Sequence, residues 1–345
     1  MEFPPVFIFE DADEGAAARE LAGAIDGLGI EAPYVLHSVH GATLARGIGN
    51  SPGQAVPPSG ADQEWASTLG STVRRSGAGA IVAIGGGRCL DVAKLAAARA
   101  GVVVVGVPTQ LSHDGICSPV AVVPNSTGRT ESLGAIGPRA VFVSIPTVMR
   151  APAATVAAGL GDLLANPLAL RDWSLAAERG LVEIDHRAWD LSVESYERIE
   201  SHLDADPASV ADRAQLMREL ADALVLSGMA MICAGTSRPA SGGEHEISHA
   251  IDQLHAGRAM HGAQVAFGCI VSVALYGEDT DAFRARLRRL GLPHHPADLG
   301  LAPEDVVRIL LEAPETRAGR FTILEDADLD EDDARATVAK IWADD

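Results

Sequence analysis

Cysteine is scarce. The 345-residue chain has four, Cys89, Cys117, Cys233 and Cys269, and no CxxC pair. That spacing offers no tight disulfide framework and suits a reducing compartment. Basic residues are also few: 27 Lys and Arg stand against 47 Asp and Glu, for a net charge of −20. Nucleic acid and anionic membrane surfaces reward basic patches, so neither is expected as a partner. An anionic small substrate would need local positive charge from a metal, a helix N-terminus or a specific Arg or Lys. No apolar run approaches the ~20 residues that span a bilayer. The start, Met1-Glu2-Phe3-Pro4-Pro5, has neither the basic nor the apolar stretch of a secretory leader. A soluble, cytoplasmic protein is therefore expected. Apolar residues are plentiful, at 47% of the chain. That is core enough for one large domain or two ordinary ones, and it excludes wholesale disorder.

The pattern divides near residues 147–152. Before it, short apolar runs alternate with helical spacing. Val6–Phe9, Pro33–His37, Ala80–Ile84 and Val102–Val107 read as strands, with helices over 16–28, 62–77 and 89–100. Residues 47–61 read as a loop. Val120–Val123 and Ala140–Ile145 read as strands around a turn region, with a hairpin as one arrangement. After residue 152 the spacing is helical: 153–166, 168–181, 187–202, 207–234, 241–256, 262–276, 279–290, 303–312 and 331–342. The expectation is an α/β domain over 1–150 with a Rossmann-like, mostly parallel sheet, then an all-α domain over 151–345. The acidic run 325–333 reads as a solvated helix start.

Two segments of the first part carry chemistry. Gly85-Gly86-Gly87 links a strand to a helix, where bare backbone and helix N–H groups can approach a phosphate. A purely structural turn explains it equally well, and Lys94 further along the helix is compatible with a solvated lysine. The next strand ends in Pro108-Thr109-Gln110-Leu111-Ser112-His113-Asp114-Gly115-Ile116-Cys117-Ser118. Such loops at strand C-termini are where open α/β sheets bind ligands. Thr109, Ser112 and Ser118 offer hydroxyls and Asp114 a carboxylate. The alternative is an ordinary turn that satisfies its own backbone.

The second part concentrates histidine: His245, His249, His255 and His261 fall within 17 residues of the 345. His245 and His249 share a helix face, entered through Pro239, Ser241 and Gly242. His255 points elsewhere and reads as solvated. Asp162 lies in an apolar, glycine-flanked helix, where an unpaired carboxylate is costly. A divalent cation shared with His245 and His261 would partner it, leaving the open position of a catalytic zinc site. Pairing of Asp162 with Arg171 or a backbone N–H is the alternative.

Taken together, these segments resemble the iron- or zinc-dependent alcohol dehydrogenases, glycerol dehydrogenases and dehydroquinate synthases. Within that superfamily they resemble the sn-glycerol-1-phosphate dehydrogenase branch most. The resemblance rests on Gly85-Gly86-Gly87 with Asp91-Val92-Ala93-Lys94 and the loop Pro108–Pro119. It rests also on Gly161-Asp162 with Asp172-Trp173, and on Ser227–Ala230 leading into Ser237–Gly242, Glu244-His245, Ser248-His249 and His261-Gly262. It covers roughly residues 80–270. Gln110-Leu111 stand where the family carries small residues, and Arg88-Cys89 occupy the turn.

The resemblance implies a dehydroquinate synthase-like architecture. It implies NAD or NADP held by Gly85, Gly86, Gly87, Asp91, Thr109, Ser112 and Ser118, and Zn2+ (Fe2+ or Ni2+ as alternatives) held by Asp162, His245 and His261. Asp114 and His249 fall at catalytic and substrate positions, with Asp162 beside the substrate too. Lys94 or Arg238 would neutralise a phosphate. The implied reaction is reversible hydride transfer between NAD(P)H and a phosphorylated triose, dihydroxyacetone phosphate giving sn-glycerol 1-phosphate, in a homo-oligomer. Another polyol dehydrogenase, a sugar-phosphate cyclase and a non-catalytic cofactor binder are the rivals.

Overall fold

β-branched runs flanked by helical spacing set the first unit. The computed structural model describes residues 3–10, 13–204, 210–255 and 258–342. Its elements begin β1 Val6–Phe9, α1 Glu14–Gly27, β2 Tyr34–His37, a short α2 Ala42–Ala45, β3 Gln54–Ala55 and α3 Gln63–Ser76. Next come β4 Ala80–Gly85, α4 Gly87–Ala100, β5 Val103–Pro108, β6 Val120–Pro124, β7 Thr130–Gly134, β8 Ala140–Ser144 and a short α5 Ile145–Val148. Six strands form one sheet in the order β1-β8-β5-β4-β2-β3, each neighbour parallel. β4 is buried along its whole length, as a central parallel strand covered on both faces must be. Gly85 pairs with Pro108, so β4 and β5 end level and their loops leave the same edge of the sheet. The α/β class with a parallel sheet, followed by a helical part, is the observed architecture.

The hairpin forms with different partners from those expected. β6 pairs antiparallel with β7, while β8 enters the main sheet between β1 and β5. The turn explains the choice. Asn125 Oδ1 accepts from the backbone N–H of Thr127 and Arg129, and Gly128 has φ 83°. A compact turn between 124 and 130 closes the pair before residue 140 is reached.

From Ala153 on, every described element is helical: α6 Ala153–Leu163, α7 Asn166–Glu178, α8 His186–Glu200, α9 Val210–Ala234, α10 Gly243–His255, α11 His261–Leu275, α12 Thr280–Arg289, α13 Pro303–Glu312, α14 Ile323–Ala327 and α15 Glu331–Trp342. Residues 207–209 and 256 of the expected helices lie outside the described residues. The chain divides by internal contacts into Met1–Pro152 with Pro207–Gly228, and Ala153–Asp206 with Met229–Asp345. The expectation was one break near 150. By internal contacts, most of α9 groups with the first unit. Ala153–Glu178 is apolar and long enough, at mean hydropathy 1.3, to cross a membrane by composition, yet 72% of its most apolar window is buried inside the protein. That is how a core helix behaves.

Asp172 on α7 organises the second unit. Its carboxylate accepts from Gly243 N–H at the start of α10 (2.8 Å), from Tyr276 O–H after α11 (2.5 Å) and from Ile323 N–H at the start of α14 (2.9 Å). Trp173 beside it is buried and donates Nε1–H to Glu183 O at 3.1 Å.

In the first unit the comparable anchor is the pair Lys94–Asp91, 2.8 Å apart and buried on α4. Lys94 Nζ also donates to Gly115 O (2.9 Å), Ser118 O (3.4 Å) and Val120 O. Asp91 Oδ2 accepts Val122 N–H at 3.2 Å. Lys94 is therefore neither solvated nor offered to a substrate phosphate. It ties the loop after β5 to α4, and Asp91 is part of that clasp. Removing one partner of a buried pair strands the other charge, so Lys94→Met should lower unfolding free energy by about 3–5 kcal/mol. The double variant Asp91→Asn/Lys94→Met should recover part of that. Urea unfolding midpoints measure both, and a loss below about 1 kcal/mol, typical of an exposed pair, contradicts the clasp.

Candidate active site

In the first unit, the glycine turn is crowded by its own neighbours. A Cβ on Gly85 would fall 2.6 Å from Cys89 Cβ, and one on Gly86 2.9 Å from Gln110 Nε2. One on Gly87 would collide with the His113 ring. Gly85 and Gly87 are required by space, while at Gly86 the flexible end of Gln110 can shift; Gln110 and His113 lie folded against the turn. Both side chains border the expected phosphate cradle and had no assigned role. Thr109, Ser112 and Ser118 are buried in the adjoining loop. Thr109 N–H donates to Gly85 O at 3.0 Å, and Ser118 N–H to Asp114 O at 3.0 Å.

Asp114 Oδ2 accepts the hydroxyl of Ser227 at 2.9 Å. Burial pushes its carboxyl up to about 6, against the lowering effect of the Ser227 hydrogen bond. Burial also holds the His113 imidazole below its usual range. Its Nδ1 accepts Gly115 N–H at 3.0 Å, so the loop carries a neutral ring.

In the second unit, three helices bring three donors together. Asp162 Oδ1 (α6) lies 3.8 Å from His245 Nε2 (α10) and 3.7 Å from His261 Nε2 (α11). One ligand atom from each falls within 4.8 Å of the others. One carboxylate oxygen and two imidazole nitrogens at this spacing fit a borderline divalent ion. Close backbone packing makes the convergence: a Cβ on Gly161 would lie 2.5 Å from Gly262 O, and one on Gly268 would collide with Glu244 O.

Glu244 is fully buried and was assigned no role by sequence, although it stands beside His245. Its Oε1 lies 2.9 Å from His245 Nδ1 and accepts Gly242 N–H at 2.6 Å. With Glu244 ionised, that contact would put the His245 proton on Nδ1 and leave Nε2 to an ion, the usual role of a carboxylate behind a metal-binding histidine. Burial raises the Glu244 carboxyl to about 7 and that of Asp172 to about 7, with Glu244 as the second cause for Asp172. Burial, reinforced by Arg317, holds His245 and His249 well below their ordinary values.

His249 Nε2 lies 3.1 Å from Arg317 Nη2. A guanidinium can only donate, so this nitrogen accepts and the ring proton is on Nδ1. The ring centroid is 6.3 Å from that of His261. Arg238 is half-buried and donates to Phe321 O at 3.2 Å. His255, expected in solvent, is part-buried with Nε2 3.9 Å from Asp305 Oδ1.

A family profile for iron-containing alcohol dehydrogenases matches residues 23–152. The glycerol-1-phosphate dehydrogenase [NAD(P)+] of Cenarchaeum symbiosum is 37% identical over 266 residues, spanning 77% of this chain and 73% of that protein. The protein of the same description from Methanoculleus marisnigri is 38% identical over 265 residues, 77% of this chain and 72% of its own. Among solved structures, a probable glycerol dehydrogenase from Sinorhizobium meliloti superposes with TM-score 0.81 at 21% identity, over 99% of this chain and 97% of that one. At that identity it speaks for the fold. Sequence likeness of this extent, across more than two thirds of both chains, makes this chain a member of the NAD(P)-dependent glycerol-1-phosphate dehydrogenase family, within the iron-containing alcohol dehydrogenases.

Proposed function

We propose that the chain reversibly reduces dihydroxyacetone phosphate to sn-glycerol 1-phosphate with NADH or NADPH, using a divalent metal held by Asp162, His245 and His261. The observation that carries this is the convergence of those three donors from α6, α10 and α11, in a chain 37% identical to glycerol-1-phosphate dehydrogenases. Zinc suits the donor set, with Fe2+ and Ni2+ as alternatives; the ion would supply a Lewis acid for the carbonyl oxygen. The nicotinamide would supply the hydride.

The remaining work falls to the chain. Glu244 fixes the tautomer of His245, keeping Nε2 unprotonated for the ion. His249 is neutral and holds its proton at Nδ1, so it orients a substrate oxygen as a donor and is not a charged acid. The loop carrying Thr109, Ser112 and Ser118 and the turn Gly85–Gly87 would take the cofactor. Asp114, with its raised carboxyl, faces substrate in this reading. β2 ends at His37-Ser38 with no carboxylate there to repel a 2′-phosphate, so both cofactors are accepted.

Purified protein should oxidise NADH and NADPH only when dihydroxyacetone phosphate is added. Activity should vanish on chelation and return with a divalent metal, whose identity elemental analysis of the same sample gives. Turnover that persists in the chelated protein sinks the metal assignment. Glu244→Gln should weaken metal binding about 10- to 100-fold, read by competition with a chromophoric chelator. An unchanged affinity removes Glu244 from behind His245.

A further inference from the structure

Behind His261 lies a polar cluster built mostly from neutral groups. Ser248 on α10 and Gln264 on α11 are both fully buried. Ser248 and Asp252, four apart, share a face of α10, and His261 and Gln264, three apart, share a face of α11. The two pairs meet. Gln264 Nε2 donates to Asp252 Oδ1 at 2.9 Å and lies 3.5 Å from both Ser248 O and Ser248 Oγ. Its Oε1 accepts Ala259 N–H, in the segment that enters α11, at 3.2 Å. The amide fits only one way round. A flipped group would set its N–H against that of Ala259 and its oxygen against the Asp252 carboxylate. Ser248 Oγ in turn faces His261 Nδ1 at 3.5 Å.

The neighbours of Gln264 in sequence, Ala263, Val265, Ala266 and Phe267, are buried and apolar. A Leu or Met in its place would fill the space with no polar group to satisfy. What the amide adds is direction: it holds the Ser248 hydroxyl and the entry to α11 in one frame. His261 Nε2 faces Asp162 Oδ1 at 3.7 Å. A neutral ring offering that nitrogen to an ion carries its proton on Nδ1, and Ser248 Oγ is the acceptor it meets. The two imidazoles therefore differ in support. His245 has the Glu244 carboxyl 2.9 Å behind it and a side chain 9% exposed. His261 has a hydroxyl at 3.5 Å and a side chain 24% exposed. A neutral acceptor raises the basicity of a ligand less than an ionised carboxylate does.

We infer that Ser248, oriented by Gln264, is a positioning residue for His261, and that His261 is the donor through which a bound ion leaves. This rests on the reading of Asp162, His245 and His261 as a divalent-metal site. The network keeps the His261 ring turned with Nε2 toward Asp162. Weaker backing and greater exposure make His261 the first of the three donors to let go. A purely structural role, tying the entry of α11 to α10, is the alternative that the experiment separates.

The test compares wild type with Ser248→Ala, Gln264→Met and His261→Ala. Zn2+ affinity is measured by competition with a chromophoric chelator, and Zn2+ loss into excess chelator by stopped flow. The urea midpoint of each metal-stripped protein is the structural control. Ser248→Ala and Gln264→Met should bind Zn2+ about 10-fold more weakly, with the loss appearing as faster dissociation. The stripped Ser248→Ala protein should unfold close to the wild-type midpoint, and its Co2+ form should show a shifted visible spectrum. A lowered midpoint with unchanged affinity assigns the network to structure and overturns the inference. Weaker binding that arises from slower uptake alone overturns His261 as the point of exit. If His261→Ala binds Zn2+ as tightly as wild type, the metal site itself fails and the inference falls with it. If His261→Ala loses binding while Ser248→Ala and Gln264→Met match wild type, only this inference falls. Should Gln264→Met not fold, Ser248→Ala, which removes a single oxygen, carries the comparison.

Discussion

One buried carboxylate holds the second unit in working order. Asp172 accepts three hydrogen bonds from three different places: the start of α10, the end of α11 and the start of α14. Two of those helices carry His245 and His261, the candidate ligands. The third, α14, begins just after the segment that supplies Arg317, the partner of His249. Burial and the neighbouring Glu244 both disfavour ionised Asp172, so the three donors are what make its position tolerable. A buried polar group satisfied this fully rigidifies what surrounds it. The spacing of α10 and α11, and so of His245 and His261, descends from it.

Much of the site was legible because its residues are unusual where they stand. Asp162 is a carboxylate in an apolar helix; His245 and His249 share a helical face; His261 follows on the next helix. Burial cost and helical period are enough to single these out. Lys94 was misread because a lone lysine on a helix is usually solvated. The available signal was its i,i+3 spacing from Asp91 on a helix apolar nearly all round. Glu244 stood beside His245 without a role because sequence does not reveal which side chain backs a histidine ring. Arg317 was invisible for a different reason. It ends a short 3-10 turn, Pro314–Arg317, which has no period to read, and its partner His249 is 68 positions away.

The fold divides in the same way. Parallel strands and long helices announce themselves through runs and periods. The pairing of β6 depended on turn geometry at Asn125 and Gly128. The grouping of most of α9 with the first unit depended on contacts between distant segments, which no local pattern encodes.

The glycine contacts at Gly161 and Gly268 have a thermodynamic consequence. Each ligand lies next in sequence to a point where two backbones touch: Asp162 beside Gly161, His245 beside Glu244 and His261 beside Gly262. The ordering of the three donors is therefore part of the folding free energy of the helices, already met before any ion arrives. A cation entering such a frame loses little affinity to rearrangement, and by mass action every increment of its occupancy returns as resistance of the helical unit to unfolding. Supply of the ion and persistence of the fold are then two readings of a single equilibrium.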